Sequence, residues 1–269
     1  MSKVGYSDEE LLAMNPKDLR SIIRRGEWTE PNVNACRGYA MANLAIVPKD
    51  CAFEFLLFCL RNSQPCGLID VTEPGDPHPR FAAPEADLRT DLPKYRVFKD
   101  GECIDEPPDI IKYWQDDLVA FIIGCSASFD WALQAANVQS RLTGAYNSTI
   151  QCVPAGRFHG SMVVSCRFVK NGHDAVRATQ ISSRMRAVHG PPIYIGDPSA
   201  IGIKDLYHPE FGPIKSVAPQ KPDELALYWG CGITPQNIAL ESKVSFMITH
   251  SSEGHMFITD KLSEELATL

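Results

Sequence analysis

LVAFIIGCS, residues 118–126, carries the strongest secondary-structure signal in the sequence. It is an unbroken apolar run that ends in Gly124-Cys125-Ser126 and leads into the helix-like stretch SFDWALQAANV, residues 128–138. This order predicts a buried strand, a tight turn and a helix. ALYWGCGITPQ, residues 226–236, repeats the order with a Gly-Cys-Gly turn around Cys231. The two stretches together resemble a weak internal repeat.

Buried strands that alternate with helices predict an α/β fold, with a layered α/β/α main domain built on a mainly parallel sheet. Between the two turns, strand-like stretches at 162–169 and 191–198 enclose a helix-like stretch at 173–188. We expect this part to form a smaller inserted α+β domain over residues 145–217. Residues 1–144 and 218–269 would then form the main domain. In a parallel sheet, binding residues gather at the carboxyl ends of the strands.

Composition favours small-molecule chemistry. The chain has 269 residues, a formal net charge of -7 and a hydrophobic fraction of 44%, and its pI of about 5.5 argues against nucleic acid as the main partner. No apolar stretch approaches the roughly 18 residues that a membrane span needs. The polar, acidic beginning of the chain does not resemble a secretory or transit signal, so a cytoplasmic location and no membrane partner are expected. A homodimer is left open.

The cysteines indicate reduced thiols rather than a metal site. There are nine, an odd number, and most lie within apolar runs. No CxxC pair occurs, and no His-x-His or His-x-x-x-His spacing supports a metal. Gly230-Cys231-Gly232 lacks the further glycine and acidic residue of a dinucleotide fingerprint. We therefore expect neither a metal nor a cofactor.

The turn at Gly124, Cys125 and Ser126 is the sharpest candidate site. A thiol at a strand-to-helix junction lies near the positive end of the helix, where free N–H groups can also hold a carboxylate. The alternative is structural, with Ser126 capping the helix and Cys125 packing in the core. Cys231 repeats the arrangement, which favours a pair of turns that approach a ligand.

The loop DLRTDLP, residues 87–93, is a second candidate. Arg89 is shaped to grip a substrate carboxylate, with Asp87 and Thr90 beside it and Asp91 available for proton transfer. Internal ion pairing between these residues is an equally good interpretation.

Three further residues are candidates for proton transfer. His189 precedes the strand-like stretch 191–198 and Asp197 ends it, while His250 follows a strand-like stretch near the end of the chain. A histidine can exchange a proton near neutral pH. A histidine before Gly-Pro is also an ordinary turn residue, so His189 has a purely structural alternative.

The motifs DLRTDLP, FIIGCSASF, PAGRFHGSMVVS, VHGPP, IGDPSAIGIKDL, GCGITPQ and ITHSSEGHMFITD occur here in this order. In this respect the chain resembles the hydro-lyase family related to D-glutamate cyclase, over about residues 37–260. The resemblance implies a two-part α/β fold and a lyase that eliminates water from a small carboxylate substrate. It also implies cyclisation of D-glutamate to 5-oxo-D-proline as the activity.

One departure from the family pattern concerns the substrate. Asn147 stands where the family usually has an arginine, so Arg89, Arg157 and Arg167 are the alternatives for holding a carboxylate. We assign Arg89 and the turn at 124–126 to this task. A covalent thioester on Cys125 is less favoured because no base is adjacent. The rival interpretations are a hydro-lyase acting on another hydroxy acid and a non-catalytic carboxylate-binding protein.

Overall fold

The computed structural model describes residues 5–33 and 35–268. Its helices are α1 (Asp8–Ala13), α2 (Pro16–Arg24), α3 (Lys49–Arg61), α4 (Ala127–Ala135), α5 (Gly172–Ser183) and α6 (Thr234–Glu241). Its strands are β1 (Tyr39–Pro48), β2 (Leu68–Val71), β3 (Tyr95–Lys99), β4 (Glu102–Asp105), β5 (Leu118–Gly124), β6 (Ser140–Gln151), β7 (Ser161–Val169), β8 (Tyr194–Ile195), β9 (Leu225–Gly230), β10 (Phe246–His250) and β11 (Phe257–Leu262).

The strands form two sheets. The larger has seven strands in the order β2-β5-β1-β10-β3-β4, and β11 pairs with β1 beside this path. The smaller has four strands in the order β6-β7-β9-β8. β1 is the centre of the larger sheet, since it pairs with β5 along one edge and with β10 and β11 along the other.

The predicted mainly parallel sheet of a layered α/β/α domain is wrong, because every strand pairing in the described residues is antiparallel. The error has a clear cause in β5. Phe121 and Ile123 pack into one core cluster and Ala120 and Ile122 into another, so both faces of the strand are covered. An antiparallel strand usually has one solvated face and alternates in polarity, whereas a strand covered on both faces is apolar throughout, as parallel strands are.

The predicted inserted domain at 145–217 stays a prediction. The four-stranded sheet includes β7 and β8, which lie within that range, together with β9, which lies beyond it. β6 crosses the predicted boundary, since it begins at residue 140.

Local predictions at the turns are confirmed. β5 is followed by α4 and β9 by α6, as the two Gly-Cys stretches predict. At the amino end, Ser7 and Glu10 form a reciprocal capping box in front of α1. Within the described ranges, no helix has the length and apolar character needed to cross a membrane.

Candidate active site between the two Gly-Cys turns

Each Gly-Cys turn is fixed to a neighbouring strand by its backbone. The N–H of Cys125 donates to the carbonyl of Met41 on β1 at 3.0 Å, and the N–H of Cys231 donates to the carbonyl of Val163 on β7 at 2.9 Å. One turn therefore belongs to the larger sheet and the other to the smaller sheet.

Asn43 lies between the two turns, and its side chain is the reason why one turn requires glycine. Its side-chain amide donates to the carbonyl of Gly124 at 2.6 Å. A Cβ at Gly232 would overlap that same amide group, so a larger residue would displace it. Gly124, predicted to bind substrate, has its own constraint, because a Cβ there would overlap the carbonyl oxygen of Ala187. Both turns thus depend on close backbone approach.

A small cavity of about 80 Å³ opens between the turns, where the two sheets meet. Four predicted site residues line it: Cys125, Ser126, Cys231 and His250. Three polar residues from the strands, Asn43, Ser165 and Arg167, also line it, and most of its other described lining residues are apolar or glycine.

Arg167 supplies the positive charge of this cavity and is only 1% exposed. Its Nε and Nη2 donate to the carboxylate of Asp130 at 2.7 and 2.9 Å, and Nη2 also lies 3.3 Å from the hydroxyl of Ser126. The rings of Phe129 and Trp229 hold the guanidinium carbon at 4.7 and 5.3 Å from their centroids. Nη1 is buried and has no hydrogen-bond partner. A fixed, unsatisfied guanidinium N–H is what a bound carboxylate would satisfy.

The two thiols are protonated at neutral pH. Burial raises the pKa of Cys125 to about 11, although the backbone N–H of Ala127 and the charge of Arg167 oppose the shift. Burial likewise raises the pKa of Cys231 to about 12, against the backbone N–H of Ile233. Both groups can donate a proton, while their thiolates are scarce.

His250 is neutral at the same pH. Burial lowers its pKa to about 4, and the nearby charge of His255 acts in the same direction. Its Nδ1 accepts the backbone N–H of Leu44 at 3.3 Å, which assigns the remaining ring proton to Nε2. His250 therefore offers an N–H donor rather than a charged imidazolium.

Residues 119–260 match the family model for D-glutamate cyclase. The chain belongs to the D-glutamate cyclase family. One relative of the chain is "Putative hydro-lyase YcsI" of Bacillus subtilis, which is 50% identical to it over 95% of this chain and 100% of the relative. A "Putative hydro-lyase" of Bacillus licheniformis is 48% identical over 95% of this chain and 98% of the relative. The resemblance found in the sequence is thereby confirmed.

Among solved structures, a nitrogen repressor-like protein from Methanococcus jannaschii is 8% identical and covers 91% of this chain and 94% of its own. Its TM-score is 0.40, too low to support a conclusion about this cyclase-family chain.

In this cyclase-family chain, the charged side chains of the loop at residues 87–93 form internal ion pairs. Arg89 donates to Asp87 at 2.7 Å. Asp91 is fully buried, where Arg24 holds it at 2.6 Å and the hydroxyl of Thr90 donates to it at 3.1 Å. Neither the loop's carboxylates nor Arg89 and Thr90 are among the described residues that line the cavity. Their assignment to substrate binding and proton transfer stays a prediction.

The other three predicted residues, Gly124, His189 and Asp197, are also not among the described residues that line the cavity. His189 is buried, adopts a left-handed backbone at φ 86°, and places Nδ1 2.5 Å from the carbonyl of Gln64. Burial lowers its pKa to about 4. Asp197 is exposed and accepts the N–H of Ser199 at 2.9 Å, which caps the short 3-10 helix that follows. Their roles in this cyclase-family chain likewise stay predictions.

Sequence reasoning missed Asn43 and Ser165 and kept Arg167 only as an alternative. Ser165 and Arg167 are two residues apart on β7 and share one of its faces. Two polar residues at i and i+2 within the apolar strand SMVVSCRFV were a signal that could have been used. In the part of the chain that the structure describes, no cluster of three or more His, Cys, Asp or Glu side chains could hold a metal ion.

Proposed function

We propose that this chain cyclises D-glutamate to 5-oxo-D-proline with release of water, in the cavity between the two Gly-Cys turns. The observation that carries the proposal is the free Nη1 of the buried Arg167. It is a preset binding position for a carboxylate, in a chain whose family is named for D-glutamate cyclase. Arg167 takes the place that the sequence argument gave to Arg89.

The α-carboxylate of the substrate binds at Nη1 of Arg167. The amino end of α4, beside Ser126, adds the positive end of a helix dipole to the same position. Asp130 occupies the other two nitrogens of the guanidinium, so the free N–H has a fixed direction. Only Nη1 of Arg167 is left for the ligand, and a single binding position favours a single substrate orientation.

Ring closure forms a C–N bond between the amine and the γ-carboxyl carbon, and breaks a C–O bond of that carboxyl. The substrate ammonium loses two protons in total, and the departing oxygen leaves with both as water. The Nε2–H of His250 donates to the γ-carboxyl oxygen as negative charge develops there. A neutral histidine suits this task, since it donates a hydrogen bond without carrying charge.

The thiols carry the protons. Cys125 gives its proton to the departing oxygen and regains one from the substrate ammonium, while Cys231 serves as the second carrier. The raised pKa of Cys125, about 11, supports this role over a thioester, because a nucleophile must be a thiolate.

Proton NMR of purified protein with D-glutamate, L-glutamate and several small hydroxy acids tests the activity. We expect a 5-oxoproline ring from D-glutamate. Arg167→Lys keeps the positive charge but loses the planar guanidinium and its several N–H donors, so kcat/KM should fall by about 10- to 100-fold. Arg89→Gln is the matched control and should leave turnover unchanged.

Three outcomes would contradict the proposal. Loss of activity in Arg89→Gln with retention in Arg167→Lys would move the carboxylate site to the loop at 87–93. An alkene formed from a hydroxy acid, without D-glutamate turnover, would indicate a different hydro-lyase. Absence of any turnover would favour a binding protein. Thermal melting followed by circular dichroism shows whether each variant is folded.

The thiol roles need a second experiment. Cys125→Ser replaces the thiol by a weaker acid, and we expect turnover to fall by about 100-fold, the contribution usual for a general acid. Cys231→Ser tests the second carrier in the same assay. Intact-mass spectra of acid-quenched reactions should contain no glutamyl adduct. An adduct that disappears in Cys125→Ser would establish the thioester route instead, and full activity in both variants would remove the thiols from catalysis.

A further inference from the structure

A second, larger cavity of about 910 Å³ lies beside α4. Its walls come from α4, α5 and the carboxyl-terminal 3-10 helix Ser263–Leu266. It shares no described lining residue with the cavity between the Gly-Cys turns. The proposed cyclase chemistry does not use it.

Two buried hydrogen-bond donors on this wall have no partner. They are the indole N–H of Trp131 and the hydroxyl of Ser263, whose residue is 4% exposed. Buried polar groups in folded proteins are nearly always satisfied, so each unpaired donor requires an explanation. A bound ligand that accepts hydrogen bonds would satisfy both.

The charge around these donors is positive. The guanidinium of Arg37 lies 4.9 Å from the centre of a Trp131 ring and has no carboxylate partner in the described ranges. Arg184 is exposed, and its guanidinium pairs with no carboxylate among the described residues but donates to the carbonyl of Thr268 at 3.3 Å. Glu264 is the one carboxylate among the described lining residues, and it is exposed. The two arginines therefore exceed the negative charge of the wall, which favours an anion.

Most of the remaining lining residues are apolar, with Ser128 and Gln180 as the polar exceptions, and this wall suits a flat hydrocarbon body. The apolar lining residues include Ala132 and Ala135 on α4, Ile181 on α5 and Met185. Small alanines leave room beside the Trp131 ring, where an aromatic ligand can stack.

We propose that this cavity is a second ligand site that binds a small aromatic carboxylate. The carboxylate accepts from the Trp131 indole N–H and the Ser263 hydroxyl and pairs with Arg37. The ring packs against the apolar wall between α4 and α5. No reaction is assigned to this site.

Two-dimensional 1H–15N NMR of the full chain tests the proposal through the indole N–H signals. The sequence has four tryptophans, so Trp131→Phe identifies the Trp131 signal by its disappearance. The probes are benzoate, its neutral analogue benzamide and its non-aromatic analogue cyclohexanecarboxylate. We expect benzoate to shift the Trp131 signal saturably, and both analogues to bind at least about tenfold more weakly.

Arg37→Gln should weaken benzoate binding by about tenfold or more, since it removes a charged partner. The remaining signals of the same spectrum report whether this variant is folded. Arg167→Lys is the matched control and should bind benzoate as the unchanged chain does, which separates this site from the proposed cyclase site.

The proposal is overturned if benzoate causes no saturable shift up to about 10 mM, a concentration that corresponds to negligible affinity. If benzamide bound as tightly as benzoate, the site would not recognise the negative charge, and the proposed anion recognition would be wrong. A Trp131 signal that moves with protein concentration alone would show instead that a second copy of the chain covers this wall.

Discussion

Replacing Asp91 by asparagine decides whether this carboxylate stabilises the fold or transfers protons. Its Oδ1 accepts from Arg24 Nε at 2.8 Å and from the Thr90 hydroxyl at 3.1 Å. Its Oδ2 accepts from Arg24 Nη2 at 2.6 Å and from the backbone N–H of Asp87 at 2.9 Å. Both oxygens are thus fully used by the protein, which leaves none for a substrate.

The magnitude follows from these contacts. Asparagine keeps one acceptor and turns the other oxygen into a donor that faces N–H groups, so the charge and at least one buried hydrogen bond are lost. Breaking a buried ion pair from one side costs about 3–5 kcal/mol. Arg24 is 46% exposed and can regain water. Arg20, whose Nε lies 3.9 Å from Asp91, keeps its ion pair with Asp260 at 2.7 Å. We therefore expect the low end, about 3 kcal/mol.

Urea unfolding followed by circular dichroism measures this loss, and the midpoint should fall by about 1 M or more. Asp87→Asn is the matched control in the same loop. Its partner Arg89 is 34% exposed, so the loss should stay below about 1 kcal/mol. Turnover per folded molecule of Asp91→Asn should be retained. A stability loss below about 1 kcal/mol, together with abolished turnover, would refute the structural role and support proton transfer.

The remaining predictions concern pH, packing and thiol reactivity. The folded-state pKa values of His250 and His189, each about 4, lie below the unfolded value near 6.5, so the unfolded chain binds more protons between these limits. The free energy of unfolding should therefore fall as the pH is lowered from about 6.5 to about 4, by up to about 1.4 kcal/mol per pH unit per histidine. Urea titrations at a series of pH values measure this dependence, and it should be weaker in His250→Gln. Gly232→Ala should lower the free energy of unfolding by about 1–3 kcal/mol, because its Cβ displaces Asn43. The matched control is Gly172→Ala, which has open space around it and should be neutral or slightly stabilising. An unchanged melting temperature in Gly232→Ala would contradict the overlap. Iodoacetamide at pH 7.5 should label Cys125 about 100-fold more slowly than a free thiol, as read by peptide mass spectrometry, and labelling as fast as that of free cysteine would contradict its raised pKa.

The sequence determined the features that depend on neighbouring residues. Each Gly-Cys turn joins a strand to the helix that directly follows it. Such signals are complete within a few residues, so no tertiary information is needed to interpret them. Family membership was also determined, because ordered motifs along most of the chain do not depend on how strands pair.

Two features depend on tertiary structure: the direction of the strands within the sheets, and which arginine lies at the cavity between the Gly-Cys turns. β1 finds its partners in β5 and β10, far along the chain, and an apolar strand covered on both faces does not reveal their direction. Arg89 pairs with Asp87, two residues away, and stays partly exposed, whereas Arg167 is buried and meets Asp130 only after β7 and α4 pack together. Both arginines pair through Nε and Nη2, but long-range packing buries Nη1 of Arg167 without a partner beside the cavity, and a buried unpaired donor is the one that a ligand would satisfy.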